Sequence, residues 1–266
     1  MSNAYGGNTL NLGVTAHDSR SAVERNRRAF VSAVLARSAK AAHKAGEVSW
    51  QITTGRQIHS DLIHCVSSPA DHPAAGDGLI TRTPGLLVGV LAADCLPIII
   101  VDPKQRAVGV FHAGWRGTMK RIAEKGVGEM RRHFGSCPSD LNAAIGPGIR
   151  DCCYHVGSEV RDKFESQFAY AKSLFRETKD SDEVREKYPL LFLNQRAPGH
   201  GELPKRIFLN LAEANRRQLV DAGIAEKNIF DVDLCTSCRS DLFFSHRADK
   251  GITGRMMAVV GIRAKS

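Results

Sequence analysis

The sequence predicts an α/β (α+β) fold, a single-domain mixed-sheet αβ sandwich with flanking helices. Three observations carry that reading. A chain of 266 residues, 42% hydrophobic and 24% charged, has the composition of one large globular domain rather than of a disordered or fibrous protein. Strand-like and helix-like stretches are interspersed without the steady alternation that builds a doubly wound parallel sheet. Neither G-x-G-x-x-G nor a P-loop occurs, so the glycine-rich cradle of nucleotide-binding parallel folds is missing. The domain is taken to occupy residues 1–266.

Ser21-Ala22-Val23-Glu24 has the form of a capping box, and Val23, Phe30, Val31, Val34 and Leu35 follow at helical spacing, which predicts a helix from about Ser21 to Lys40. Leu86 to Leu91 and Pro97 to Val101 read as buried strands, Asp102-Pro103-Lys104-Gln105 as a turn, and Ala107 to Phe111 as the returning strand. A helix from about Thr118 to Phe134 closes on Gly135. Leu141 to Ile145 is a further strand, Gly157 to Tyr170 a helix, and Ile207 to Leu209 a short strand running into a helix that ends near Gly223. Ile229 to Val232 and Met256 to Ile262 are expected to complete the sheet. Between Lys172 and Arg206 the sequence turns charged and then rich in proline and glycine, as at Arg196-Ala197-Pro198-Gly199-His200-Gly201, which predicts a surface excursion at about 172–206.

The longest apolar stretch, Leu86 to Val101, carries Asp94 in its middle, so no membrane span is expected. Met1 to Gly13 lack a basic region followed by an apolar run; they do not read as a signal peptide, and a cytoplasmic location is the default. Lys and Arg outnumber Asp and Glu by 37 to 28, a formal net charge of +9. The basic residues stand in separate groups, among them Arg25, Arg27 and Arg28 and the pair Arg216 and Arg217, mostly on helical patterns. That distribution argues against a nucleic-acid surface and for attraction of a small anionic substrate such as phosphate. Seven cysteines without a secretion signal read as thiols rather than a disulfide framework, and Cys235-Thr236-Ser237-Cys238, a C-x-x-C with no companion, reads as structural thiols.

Three short segments set metal-capable side chains among glycine, proline or charged neighbours where a plain core would be apolar: Gln57-Ile58-His59-Ser60, Ala93-Asp94-Cys95-Leu96-Pro97 and His112-Ala113-Gly114-Trp115-Arg116-Gly117. Each is bland alone, since a single histidine is usually a hydrogen-bonded structural residue and a single buried cysteine a small hydrophobe. If Asp102 to Gln105 form a four-residue hairpin loop, Val101 faces Arg106, and counting back sets Cys95 opposite His112. Directly opposed residues share a sheet face at close range, so a thiolate and an imidazole there can share one ion. Mixed sulfur and nitrogen ligation suits zinc, and three protein ligands leave a fourth position for water or substrate.

These segments, with Gly76-Asp77-Gly78-Leu79-Ile80-Thr81, Ile145-Gly146-Pro147, Cys152-Cys153-Tyr154, Cys235-Thr236, Phe243-Phe244-Ser245 and Thr253-Gly254-Arg255, resemble in order and spacing the signature blocks of the YfiH/laccase-domain family, historically called multicopper polyphenol oxidases. The resemblance covers nearly the whole chain. It implies a metal held by His59, Cys95 and His112, and purine nucleoside chemistry: phosphorolysis of adenosine, inosine, guanosine and methylthioadenosine, with deamination of adenosine. No nucleic-acid, membrane or obligate protein partner is implied. The family's pattern has a longer amino end, with a strand and a Thr-Arg-x-Gly-Gly stretch ahead of the part matched by Leu10 to Gly13, so a piece of the site wall is expected to be missing. His155, His246 and Ala248 stand where the family often has Glu, Tyr and Arg, which bears on substrate preference.

For phosphorolysis, zinc and Arg116 are the expected holders of phosphate, the guanidinium offering a planar two-point clamp. Asp94 is expected to act as acid or base, or else to fix a ligand histidine, with Gln57 and Trp115 as substrate contacts. For deamination, water activated by the ion would attack the ring carbon bearing the amino group. Other readings are open. Cys95 with His112 would make the nucleophile and base of a cysteine hydrolase, a chemistry compatible with the peptidoglycan-precursor editing associated with some relatives. A copper-dependent polyphenol oxidase has the family name behind it but no His-x-His pair for a multicopper cluster. A metal-stabilised binding module would close the site with a fourth ligand such as Cys152, Cys153 or Cys235.

Overall fold

The protein is described from a computed structural model over residues 10–40, 50–69, 74–179 and 205–264. It divides into two compact units, Met1–Arg150 with Leu211–Ser266, and Asp151–Asn210. The larger contains α1 (Arg20–Lys40), β1 (Gln51–Thr54), β2 (Ile63–Cys65), β3 (Gly78–Thr81), β4 (Leu86–Ala92), β5 (Leu96–Asp102), β6 (Ala107–Ala113), α2 (Trp115–Met119), α3 (Ile122–Phe134) and β7 (Asn142–Ile145). The smaller contains β8 (His155–Val156), α4 (Ser158–Gln167), β9 (Phe175–Lys179) and β10 (Lys205–Leu209), after which α5 (Leu211–Asp221), β11 (Ile229–Asp231) and β12 (Met256–Gly261) belong again to the larger.

Two mixed sheets make the larger unit, one ordered β11-β7-β5-β6-β3-β2 and the other β1-β4-β12. Strand periodicity explains how they stack. Val108 and Val110 of β6 point to one face with Leu79 of β3, and there they pack against Val88 and Val90 of β4 and Ile262. Phe111, on the opposite face, meets α3 at Gly126, where a Cβ would stand 2.6 Å from the Phe111 Cζ. The layers are therefore helix, six-stranded sheet and three-stranded sheet, a mixed-sheet αβ sandwich as the sequence predicts. The smaller unit has its own antiparallel sheet, ordered β8-β10-β9, and its own aromatic cluster, with the Phe164 ring 5.9 Å from that of Phe175.

Several expected elements differ in detail. The first helix is capped by Ser19, whose hydroxyl accepts from the Ala22 N–H at 3.2 Å, while Glu24 pairs with Arg20, so Ser21-x-x-Glu24 is not the capping box. The helix expected from Thr118 to Phe134 is broken, because Arg121 takes a left-handed φ of 65° between α2 and α3. Met256–Gly261 joins β4 in the second sheet, and Lys205–Leu209 lies in the third, so one sheet becomes three. The helix expected to reach Tyr170 stops at Gln167, where Phe168 becomes extended and packs on Phe164. The predicted excursion is in part regular: β9 and β10 pair antiparallel, while Arg196 to Gly201 lie outside the described residues.

The hairpin count also changes. Asp102 Oδ1 accepts from the backbone N–H groups of Lys104 and Gln105, both at 2.9 Å, and Arg106 is left-handed at φ 51°. The loop is thus Pro103 to Arg106, Asp102 pairs with Ala107, and His112 stands opposite Pro97. Cys95 lies just before the strand, two residues ahead of Pro97, the residue that takes the place opposite His112.

Candidate metal centre

Although Cys95 and His112 are not cross-strand partners, they come together, and His59 joins them. The three ligand atoms lie within 4.8 Å of one another. His112 is buried at the end of β6, Cys95 is half-buried in the bend between β4 and β5, and His59 is exposed ahead of β2. The two imidazole rings stand edge to face with centroids 5.0 Å apart.

A carboxylate that the sequence reading passed over holds two of the three in place. Asp77, 1% exposed, precedes β3 and sits beside His112, whose backbone N–H donates to the Asp77 carbonyl at 2.7 Å. Its Oδ1 accepts from His112 Nδ1 at 2.8 Å and from the His59 N–H at 3.1 Å. Its Oδ2 accepts from the Ser60 N–H at 2.6 Å, the Ser60 hydroxyl at 2.8 Å and the Ile58 N–H at 3.1 Å. The segment 58–60 therefore wraps around one carboxylate, which supports the left-handed φ of 57° at His59. A carboxylate can only accept, so Nδ1 carries a proton towards Asp77, and Nε2 is the ring nitrogen that would offer its lone pair to an ion once its own proton is displaced, the arrangement by which second-layer carboxylates orient metal-binding histidines. An aspartate between two glycines ahead of a buried strand was the available signal, since a fully buried carboxylate must find donors.

Electrostatics follow the same contacts. Burial works to raise the Asp77 pKa, but the donors from His112, Ser60 and Ile58 hold it well below the usual carboxylate range. Burial likewise pushes the Cys95 thiol up, and the neighbouring His112 and His59 pull it down to about 6. Burial pushes His112 down, whereas Cys95 and Asp77 lift it to about 9. A thiolate ligand is thus favoured near neutral pH.

The other expected site residues have definite surroundings. Asp94, buried and left-handed at φ 86°, accepts at Oδ1 from Thr236 and Ser245 hydroxyls, each at 2.7 Å, and at Oδ2 from the Arg247 N–H at 2.7 Å. The Gln57 amide is bound at both ends to the Leu91 main chain, at 2.8 and 2.7 Å. Trp115 is half-buried under the exposed Arg116, whose Cζ lies 4.4 Å from the ring centroid. Gly114 touches the cluster directly: a Cβ there would stand 2.9 Å from Cys95 Sγ and 3.3 Å from His59 Cδ2. Two imidazoles and a thiolate, kept clear by a glycine and oriented by a buried carboxylate, form a donor set that fits zinc or another borderline metal.

Comparison with known proteins gives the family. The family model described as "Multi-copper polyphenol oxidoreductase laccase" matches residues 2–263. The chain is 39% identical over 187 residues to a protein of Geobacillus stearothermophilus named purine nucleoside phosphorylase YlmD, a match covering 70% of this chain and 60% of that protein. It is 36% identical over 171 residues to adenosine deaminase RL5 of an unknown prokaryotic organism, covering 64% of this chain and 56% of that one. Among solved structures, the Bacillus licheniformis hypothetical protein YfiH superposes with a TM-score of 0.75 at 34% identity, over 96% of this chain and 86% of that one. The chain belongs to the multi-copper polyphenol oxidoreductase laccase family.

Proposed function

We propose that this protein is a zinc-dependent purine nucleoside phosphorylase that also deaminates adenosine, with His59, Cys95 and His112 as the metal ligands. The observation that carries the reading is the convergence of three ligand atoms within 4.8 Å in front of the Asp77 carboxylate. The names of the relatives, purine nucleoside phosphorylase and adenosine deaminase, supply the substrate class.

In phosphorolysis a phosphate oxygen forms a bond to the ribose anomeric carbon as the glycosidic bond breaks through an oxocarbenium-like state. The bond electrons leave with the base, which takes up a proton, and ribose 1-phosphate is the other product. A bound zinc ion would supply Lewis acidity, drawing charge from phosphate oxygens or lowering the pKa of the water that deamination consumes. Arg116, stacked on Trp115, holds phosphate by two parallel N–H donors. Asp77 keeps His112 in the Nδ1-protonated tautomer. Asp94, with hydrogen bonds to Thr236, Ser245 and Arg247, positions the Cys95 peptide rather than moving a proton. Gln57 ties the His59 segment to β4 and so acts on substrate through that segment.

Chromatography of adenosine incubated with and without phosphate tests the chemistry. Phosphorolysis releases adenine only with phosphate, deamination yields inosine regardless, and neither product would overturn the proposal. Elemental analysis should find near-equimolar zinc, lost in Cys95→Ala; copper in its place would favour an oxidase. A second reading is favoured by one observation, the alignment of Cys95, His112 and Asp77 as nucleophile, base and orienting carboxylate of a cysteine hydrolase. Full activity in metal-free protein would overturn the zinc assignment, and metal-free hydrolysis of an amide substrate, lost in Cys95→Ala, would select the second reading.

A further inference from the structure

A cavity of about 470 Å³ lies in the larger unit, lined by side chains that the metal centre does not use. We propose that it is the subsite for the base of a purine nucleoside, a neutral planar heteroaromatic ring; the proposal rests on the phosphorylase reading and names where that substrate is gripped.

Register fixes the cavity's place. Pro97, in its wall, is the cross-strand partner of His112, so both side chains leave the six-stranded sheet on the same face, on strands about 4.8 Å apart. That face is the one Val108 and Val110 present to the second sheet. From the second sheet come Ala92 and Met256, themselves cross-strand partners at the ends of β4 and β12. Ala92 is followed within three residues by Cys95. The cavity therefore opens between the two sheets at the end where the metal ligands stand.

Its chemistry fixes the occupant. Pro97, Pro147, Phe243, Phe244, Met256 and Met257 supply rings and thioethers, and among the described residues no charged side chain lines it. Such walls reject phosphate and receive a flat uncharged ring by stacking and sulfur–aromatic contact. The volume is that of a small-molecule pocket. A second feature joins the cavity to the chemistry: Asp94, adjacent to Cys95, accepts from the hydroxyl of Ser245, the residue after Phe244. The aromatic wall and the thiolate ligand are thus held by one carboxylate.

The test uses Phe243→Ala, which removes a stacking ring, and Leu242→Arg, which sets a cation at the exposed lip without entering the core. Calorimetry with adenine and steady-state kinetics with adenosine and phosphate are measured on the metal-loaded protein. In both variants adenine binding should weaken at least tenfold and the KM for adenosine rise by a similar factor. The KM for phosphate should move less than twofold and the metal content not at all. Equal adenine binding in wild type and both variants overturns the cavity proposal, as does a phosphate KM that rises with that of adenosine. If the wild type shows no phosphorolysis, the functional reading falls on its own. Adenine then still decides: binding lost in the variants upholds the subsite, and absence of binding to the wild type rejects it.

Discussion

Asp77 is where one residue decides most. Replacing it by alanine strands the His112 Nδ1 proton and the backbone donors of Ile58, His59 and Ser60. A buried donor left without a partner costs about 1–3 kcal/mol, so Asp77→Ala should lose at least about 3 kcal/mol in denaturant unfolding and release its metal. Asp77→Asn keeps the shape but weakens the orienting bond, and metal affinity should fall about 10–100-fold in competition with a chelator. The sign of the pH effect follows from the lowered pKa: the stabilisation is complete above the unfolded-state value of about 3.9 and is lost as pH falls through the folded-state value. Unfolding of the Asn variant should therefore depend less on pH below about 4 than that of the wild type, and parallel acid limbs would reject the assignment. Gly114→Ala tests the same centre from the other side, since its Cβ would meet Cys95 Sγ at 2.9 Å; metal content should drop while the far-ultraviolet spectrum stays. The three segments stood out because each sets a metal-capable side chain among residues a plain core would not choose; the hairpin count joined Cys95 to His112, and only the family resemblance added His59. The role of Asp77 was not legible, because its partners, main-chain groups and the Ser60 hydroxyl 17 to 19 positions away and the His112 ring 35 positions away, are set by the fold and by no local pattern.

Elements were legible where hydrophobic period was strong and local, as in β4, β5, β6 and α3. They failed where long-range contacts set the boundary. The break at Arg121 is an instance: α2 is held separately because Thr118 accepts at its hydroxyl from Asn215 Nδ2 at 2.9 Å and at its carbonyl from Gln218 Nε2 at 2.7 Å, both from α5 about a hundred positions on. Strands β1, β2 and β3, at three or four residues, are too short to show a period. The loop moved by one residue through the Asp102 turn and the pairing with it by two, yet Cys95 and His112 still come together, since the bend before β5 carries Cys95 back over β6. Because α2 carries Trp115 and Arg116, its clamp is open to a direct test. Gln218→Leu removes one of the two donors to the Thr118 carbonyl, the Arg121 N–H at 2.9 Å remaining, and should cost about 0.5–1.5 kcal/mol. If the clamp positions Arg116, the KM for phosphate should rise more than that for adenosine; a loss of stability with both constants unchanged would make α5 scaffold only.

At the scale of the molecule, the proposed metal centre would draw its ligands from segments far apart in sequence, at 59, 95 and 112, all within the larger unit. Such a site barely exists in the unfolded chain, so metal binding is linked to folding. A ligand that binds only the folded state stabilises by about 4 kcal/mol when present at about a thousand times its dissociation constant. At roughly 2–4 °C per kcal/mol for chains of comparable size, removal of the metal should lower the unfolding midpoint by roughly 8–16 °C. The smaller unit, with its own sheet and its Phe164 cluster, holds none of the three ligands, so the shift belongs to the transition of the larger one. Scanning calorimetry with and without a chelator checks this, and Cys95→Ala is the control: lacking the thiolate, it should melt at the chelated wild-type temperature and ignore the chelator. A variant that still loses stability on chelation would show that the stabilising ion binds elsewhere, and a wild type indifferent to chelation would leave the cysteine hydrolase reading in possession of the site.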